Sequence, residues 1–112
     1  MPDSARSDFA RLGADDARDM IAAGRATVLD IRDEQSFAAG RISGSHPIDN
    51  AGVPAFLAGH PIADPVIVCC YHGHSSQQAA AWLVAQGLRE VYSLDGGFTE
   101  WAIRFPDDVD EG

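Results

Sequence analysis

The stretch that decides the fold is VIVCCYHGHSS, residues Val66 to Ser76. Its first five residues are apolar throughout, which is typical of a strand buried on both faces of a sheet. A short polar loop follows, and Ser75 or Ser76 can cap a helix that we predict to run to Gln86 and to end at Gly87. Strand, tight loop and helix in this order are typical of the carboxyl edge of a parallel sheet, where sites form in open α/β folds.

The flanking sequence alternates in the same way between short β-branched runs and Ala-rich helical windows. The predicted strands are Thr27–Ile31, Val66–Cys70 and Val91–Leu94, with a short strand inside Arg41–Ile48. The predicted helices are Asp15–Ala23, a short one that Asp33 caps and Gly40 ends, Val53–Ala58, the one after the polar loop, and a last one carrying Phe98, Trp101 and Phe105. Strands separated by helices predict an α/β fold with a mostly parallel central sheet and helices on both faces.

The length of 112 residues fits a single domain over residues 1–112, with a core from about residue 9 to residue 105. We expect a short flexible N-terminus and a loose acidic tail from Pro106 to Gly112. Buried aromatic anchors are expected at Trp82, Trp101 and Phe98, because large aromatic rings contribute most to core packing.

The charge balance narrows the possible partners. The chain has a net charge of −9, with eight arginines, no lysine and 17 acidic residues. Such a surface argues against nucleic acids and anionic membranes, both of which need a basic face. No apolar run reaches the length of a membrane span and no secretory signal is visible. Cysteines that are expected to be reduced fit a cytoplasmic setting, and we expect a monomer or a weak dimer.

The two cysteines, Cys69 and Cys70, are adjacent, and a bond between neighbours departs from ordinary disulfide geometry. Both are therefore expected to be reduced. The spacing of His and Cys residues matches no common metal motif. Cys70, His72 and His74 form a weak Cys-x-His-x-His pattern, for which polar loop side chains are the better interpretation. No metal or cofactor is predicted.

Cys70 is the candidate nucleophile. A cysteine between a buried strand and a helix N-terminus lies where loop amides and the helix dipole favour a thiolate. Gly73 fits a tight turn because it lacks a Cβ. Cys69 points to the opposite face of the strand and is expected to be an inert core thiol.

Other cysteine chemistries fit less well. Cysteine-dependent phosphatases and arsenate reductases need an Arg six residues after the nucleophile to clamp an oxyanion, whereas Ser76 lies six residues after Cys70. A thioredoxin-like redox motif needs CxxC, and this chain has CC.

Three sequence blocks resemble the single-domain rhodanese family, in particular its thiosulfate sulfurtransferases of the GlpE type. In chain order they are VLDIRD (Val28–Asp33) followed by Gly40-Arg41-Ile42, CYHGHSS (Cys70–Ser76), and VYSLDGGF (Val91–Phe98) followed by Trp101. The resemblance covers about residues 9–105 and implies a rhodanese-like fold.

The resemblance also implies a two-step sulfur transfer. The Cys70 thiolate takes the outer sulfur of thiosulfate, and cyanide or a thiol acceptor, for example the dithiol protein thioredoxin, then removes it. The persulfide is held by the backbone amides of the active loop, which are contributed by Tyr71, His72, Gly73, His74, Ser75 and Ser76. The side chains of Tyr71, His72 and His74 are expected to form an exposed rim.

Asp30 and Arg32 are expected to support the loop as a charge pair, without a chemical role. Two further hypotheses use the same cysteine: a persulfide carrier that accepts sulfur from a partner protein, and a redox-sensing thiol domain. Reaction with thiosulfate separates the enzyme from both.

Overall fold

The computed structural model describes residues 9–111. Its main sheet has five strands in the order β1-β6-β5-β2-β4, and all four neighbouring pairs are parallel. These strands are β1 (Ala10–Leu12), β2 (Thr27–Asp30), β4 (His46–Pro47), β5 (Val66–Cys69) and β6 (Val91–Leu94). Two further strands, β3 (Arg41–Ile42) and β7 (Val109–Asp110), form a separate antiparallel pair.

The connections between the parallel strands carry the helices, as the alternating pattern predicts. The helices are α1 (Ala14–Ala22), α2 (Glu34–Ala39), α3 (Val53–Gly59), α4 (Ser75–Ala85) and α5 (Gly97–Arg104), and a 3-10 turn covers Pro106–Asp108. No helix within residues 9–111 is long and apolar enough to cross a membrane.

Strand β5 lies in the middle of the sheet, between β6 and β2, and all four of its residues are buried. Its side chains alternate between two hydrophobic clusters, one on each face of the sheet. One cluster contains Ile67 and Cys69 and packs against α1 and α5, and the other contains Val66 and Val68 and packs against α4. The predicted α/β architecture, with helices on both faces, is confirmed.

Helix α4 covers its face of the sheet with small residues. Ser76, Ala80 and Leu83 are its buried positions, and this spacing places all three on one side of the helix. Trp82 lies on the other side and is 48% exposed, so the expectation that it anchors the core is wrong. Trp101 on α5 is buried as expected.

The prediction of a loose acidic tail is wrong for residues 106–110. Strand β7 pairs with β3 in the register Arg41↔Asp110, and the indole N–H of Trp101 donates to the Asp108 carbonyl at 3.2 Å. The Arg18 guanidinium holds the Asp108 carboxylate at 2.7 Å. Acidic composition indicates solvent exposure here, but backbone pairing over a buried tryptophan orders the segment. The expected flexible N-terminus falls on residues 1–8, outside the described residues.

Candidate active site

Cys70 directly follows β5 and is 4% exposed. Two backbone N–H donors and one hydroxyl surround its sulfur. The backbone N–H of Gly73 donates to Sγ at 3.1 Å, the backbone N–H of Ser76 at 3.3 Å, and the Ser76 hydroxyl lies at 3.2 Å. The loop therefore curls round one sulfur atom and ends at the N-terminus of α4, where unpaired amides and the helix dipole favour negative charge.

Hydrogen bonding lowers the pKa of Cys70 below its ordinary value of 9.0. Burial acts in the opposite direction and is the largest single influence on this pKa. The Ser76 hydroxyl and the backbone N–H groups of Ser76, Gly73 and His72 outweigh burial together, because each donates to the charged form. The site therefore favours a nucleophilic thiolate.

The neighbouring thiol is in a different environment. Cys69 is fully buried in the cluster beneath α1 and α5, and desolvation raises its pKa. A buried, protonated thiol is a poor nucleophile. The structure therefore places one of the two adjacent cysteines in the hydrophobic core and the other among hydrogen-bonding groups of the loop.

Helix α5 holds the loop from the other side. Its first amides donate to loop carbonyls: Phe98 N–H to Cys70 O at 2.8 Å and Thr99 N–H to Tyr71 O at 3.0 Å. The Gln77 side-chain amide donates to Gly73 O at 2.9 Å. These loop carbonyls are thus held by α5 and by Gln77. The N–H groups of Gly73 and Ser76 point the other way, at the sulfur.

Two glycines permit this close approach. Gly73 has φ +93°, and a Cβ there would lie 2.9 Å from the backbone nitrogen of Gly96. Gly97 has φ +58°, and a Cβ there would lie 2.5 Å from the carbonyl oxygen of Cys70. Both positions combine a backbone conformation that disfavours side chains with a lack of space for one.

The predicted serine cap of α4 is wrong. The residue before the helix is His74, which makes no side-chain capping hydrogen bond, and Ser75 is the first helical residue. Ser76 is buried in the second position, and its hydroxyl lies between Cys70 Sγ and the Ser93 hydroxyl, which is 2.7 Å away. Ser75 is exposed to solvent, whereas the buried Ser76 contacts Cys70 Sγ.

Asp30 and Arg32 form the predicted charge pair. Arg32 Nη2 lies 2.7 Å from Asp30 Oδ2, and both side chains are almost fully buried. Arg32 also donates to the Gly40 carbonyl at 2.7 Å, and its guanidinium lies 4.1 Å from the centre of the Phe98 ring. Burial lowers the pKa of Arg32, but the hydrogen bond and charge of Asp30 raise it more. Asp30 pairs in register with Cys69, so the ion pair lies beside the strand that carries the site.

The rim of the loop is exposed as predicted for Tyr71, His72 and His74, and Ser75 is exposed as well. The Tyr71 hydroxyl contacts the Asp33 carboxylate and lies 2.5 Å from the Ser36 hydroxyl, which ties the loop to the start of α2. Hydrogen bonds that Asp33 accepts from the Tyr71 hydroxyl, and from the hydroxyl and N–H of Ser36, lower the pKa of Asp33 to about 2. Asp33 also caps α2 as predicted, by accepting from Ser36 N–H.

The stretch of chain that carries the loop has no acidic residue of its own in spite of the net charge of −9. The segment from Ile67 to Leu88 contains no acidic residue. Exposed charges beyond about 8–10 Å are largely screened at physiological ionic strength. Within residues 9–111 no three His, Cys, Asp or Glu side chains are grouped so that they can hold a metal ion, and this includes the Cys-x-His-x-His pattern.

Sequence reasoning missed three parts of this arrangement. These are the Ser93 hydroxyl behind Ser76, the Gln77 side chain on the Gly73 carbonyl, and the two α5 amides that hold the loop. One signal for Ser93 was present: it is a polar residue inside the otherwise apolar strand VYSL, where a buried hydroxyl needs a partner.

Comparison with known proteins agrees with this architecture. A family model described as a rhodanese-like domain matches residues 13–104. A protein named thiosulfate sulfurtransferase GlpE from Stutzerimonas stutzeri is 54% identical over 104 residues, which are 93% of this chain and 94% of that protein. A protein of the same name from Pseudomonas aeruginosa is 50% identical, with the same coverage of both chains.

Solved structures show the same fold. A rhodanese-like domain from Anabaena matches 91% of this chain and 79% of that chain, with a TM-score of 0.79 at 20% identity. A rhodanese-related protein from Thermoplasma volcanium matches 86% of this chain and 93% of that chain, with a TM-score of 0.73 at 26% identity. By the extent of the family match and the identity to its relatives, the chain belongs to the rhodanese family.

Proposed function

We propose that this chain is a thiosulfate sulfurtransferase whose nucleophile is Cys70. The single observation that carries the proposal is the convergence of two backbone amides and the Ser76 hydroxyl on Cys70 Sγ. The names of relatives at about half identity support the same reaction. We call the donors of Gly73 and Ser76 around Sγ the anion nest. The anion nest suits one negatively charged sulfur, and it lacks the arginine clamp that a phosphoryl group needs.

In the first half of the reaction, the Cys70 thiolate attacks the outer sulfur of thiosulfate. A bond forms between Sγ and that sulfur, the sulfur–sulfur bond of thiosulfate breaks, and the electron pair leaves with sulfite. Negative charge then rests on the outer sulfur of a Cys70 persulfide. No proton moves in this step, which agrees with a site that supplies hydrogen-bond donors and no general base.

In the second half, an acceptor attacks the outer sulfur and the Cys70 thiolate is the leaving group. Cyanide yields thiocyanate, and a thiolate yields a new persulfide. Loop amides from Tyr71 to Ser76 stabilise the negative charge as it moves between the inner and the outer sulfur. A dithiol protein such as thioredoxin is an acceptor of the kind that this second half requires. Asp30 and Arg32, which lie next to β5, support the loop and take no part in the chemistry.

The experiment is intact-mass spectrometry of the protein after treatment with thiosulfate. The wild type and Cys69→Ala are expected to gain the mass of one sulfur atom and to release sulfite, and Cys70→Ser is expected to do neither. Alanine is the better control at position 69 because a serine hydroxyl would be buried there without a designed partner. Sulfur gain by Cys70→Ser would overturn the assignment of the nucleophile.

That measurement, together with a peroxide reaction and a thiosulfate–cyanide turnover assay, separates the two other hypotheses. A carrier that accepts sulfur from a partner protein would gain none from thiosulfate, and a redox-sensing thiol would react with peroxide but show no turnover of thiosulfate and cyanide. Either result would remove the enzymatic proposal while leaving the reactivity of Cys70 intact.

We further propose that the chain works as one rhodanese domain in the cytoplasm, as a monomer or weak dimer. Two free cysteines, one of them a site thiol, support a reducing compartment. Size-exclusion chromatography with light scattering tests the oligomeric state, and a mass well above that of a dimer would contradict it.

A further inference from the structure

Two buried hydroxyls continue inward from Cys70. The Ser76 hydroxyl lies 3.2 Å from Cys70 Sγ, and the Ser93 hydroxyl lies 2.7 Å from that of Ser76. Both serines are completely buried. Cys70, Ser76 and Ser93 thus form a linear chain of hydrogen-bonding groups that starts at the nucleophile and ends inside the core; we name it the serine chain.

The fold explains why Ser93 reaches the site from another strand. Val91 and Ser93 alternate with Tyr92, so they point to the same face of β6. Val91 belongs to the cluster that packs against Ala80 and Leu83 of α4. Ser76 lies on that same buried side of α4, one turn before Ala80. The two hydroxyls therefore meet between β6 and α4.

The direction of the chain depends on the charge of Cys70. A thiolate has no proton to give, so the Ser76 hydroxyl must donate to it. The Ser76 oxygen then has only lone pairs left for Ser93, and Ser93 must donate to Ser76. With a neutral thiol, both hydroxyls can point either way along the chain. A thiolate thus selects one ordered arrangement in which each hydroxyl strengthens the next.

We propose that Ser93 is a positioning residue that acts on Cys70 through Ser76, by keeping the Ser76 hydroxyl directed at the sulfur whenever the sulfur is charged. The role in catalysis rests on the proposed sulfur transfer, in which Cys70 is a thiolate as the nucleophile of the first half and again as the leaving group of the second. In the persulfide the charge lies on the outer sulfur. Ser93 therefore acts at the start of the first half and at the end of the second half, when the charge is on Cys70 Sγ.

The test measures the rate of Cys70 alkylation by iodoacetamide against pH, with the modified cysteine assigned by tandem mass spectrometry. Ser76→Ala removes the direct donor, and below the pKa of both proteins it is expected to slow alkylation about tenfold or more. Ser93→Ala removes only support for that donor, so we expect a smaller loss of about two- to fivefold, with the profile shifted to higher pH.

The double variant decides between positioning and packing. If Ser93 acts through Ser76, adding Ser93→Ala to Ser76→Ala changes the profile no further. An equal loss in both backgrounds, or a wild-type profile for Ser93→Ala alone, would overturn the proposal. Ser45→Ala is the matched control, because the Ser45 hydroxyl is buried with no hydrogen-bond partner among the described residues, and its removal should leave the profile unchanged.

Alkylation does not depend on sulfur transfer, so the two proposals fail separately. A wild type that gains no sulfur from thiosulfate, but whose alkylation profile shifts in Ser93→Ala, would overturn the proposed function and keep the positioning role. A wild type that gains sulfur from thiosulfate, together with additive effects of the two serine substitutions on alkylation, would keep the proposed function and overturn the positioning role.

Discussion

The backbone N–H of Phe98, in the first turn of α5, donates to the carbonyl oxygen of Cys70 at 2.8 Å. The peptide of Cys70 is thus held by one helix while its side chain is held by the N-terminus of another, α4. The first amides of a helix have no partner within the helix. Two helix N-termini at one sheet edge can therefore fix a loop and also place partial positive charge at its centre.

This contact predicts that Gly97→Ala disables the site. The new Cβ would meet the Cys70 carbonyl oxygen at 2.5 Å and push the loop away from α5. We expect a loss of at least about tenfold in kcat/KM for thiosulfate, equivalent to about 1.4 kcal/mol of transition-state stabilisation.

Gly24→Ala is the matched control, since Gly24 has φ +71° and open space around it. Both variants lose about 1–2 kcal/mol of stability from the left-handed backbone conformation. Equal kinetic losses in the two variants would contradict the role of the close contact.

A second prediction concerns the tie between Tyr71 and Asp33. Tyr71→Phe removes the hydroxyl that joins the loop to α2, so we expect faster amide hydrogen exchange for the loop residues that follow Cys70. Global stability should change by less than about 1 kcal/mol because the contact is exposed. Tyr92→Phe breaks a similar contact with Glu90 away from the loop and should leave loop exchange unchanged.

A third prediction compares a buried with an exposed ion pair. Arg32→Met leaves the Asp30 carboxylate buried without its partner, and urea unfolding should show a loss of about 3–5 kcal/mol. Arg11→Met breaks an exposed pair with Asp95 and should cost no more than about 1 kcal/mol. Similar losses would mean that Asp30 and Arg32 do not brace the core.

A fourth prediction follows from the lowered pKa of Cys70. In the folded protein the thiolate persists below pH 9, so alkylation by iodoacetamide should stay fast there and fall only as the pH drops through the folded pKa. The thiolate contributes its full stabilisation of the fold above the pKa of the unfolded chain. This contribution is lost as the pH falls from the unfolded pKa through the folded pKa. In urea the profile should return to that of an ordinary thiol, and a folded profile centred at pH 9 or above would contradict the lowered pKa.

The sequence pattern predicts those parts of the site that lie close together in the chain. Cys70 at a strand end, the tight turn at Gly73 and the Asp33 cap all depend on local spacing, and each has the predicted conformation. The serine cap fails because neighbouring serines look alike in sequence, while the fold buries one beside Cys70 and exposes the other. The Ser76–Ser93 contact and the β3–β7 pair join residues far apart in the chain, which periodicity cannot detect.

The anion nest of Gly73 and Ser76 is made from main-chain amides, and every residue except proline carries one. The position of these donors therefore depends on the backbone conformation at Gly73, Gly97 and the start of α4, more than on the exposed side chains. Among the exposed rim residues, Tyr71 is tied to α2, whereas replacing the His72 or His74 side chain should leave the donors to Cys70 Sγ in place. The rim of the loop can therefore change its chemistry while the main-chain donors around the proposed nucleophile stay the same.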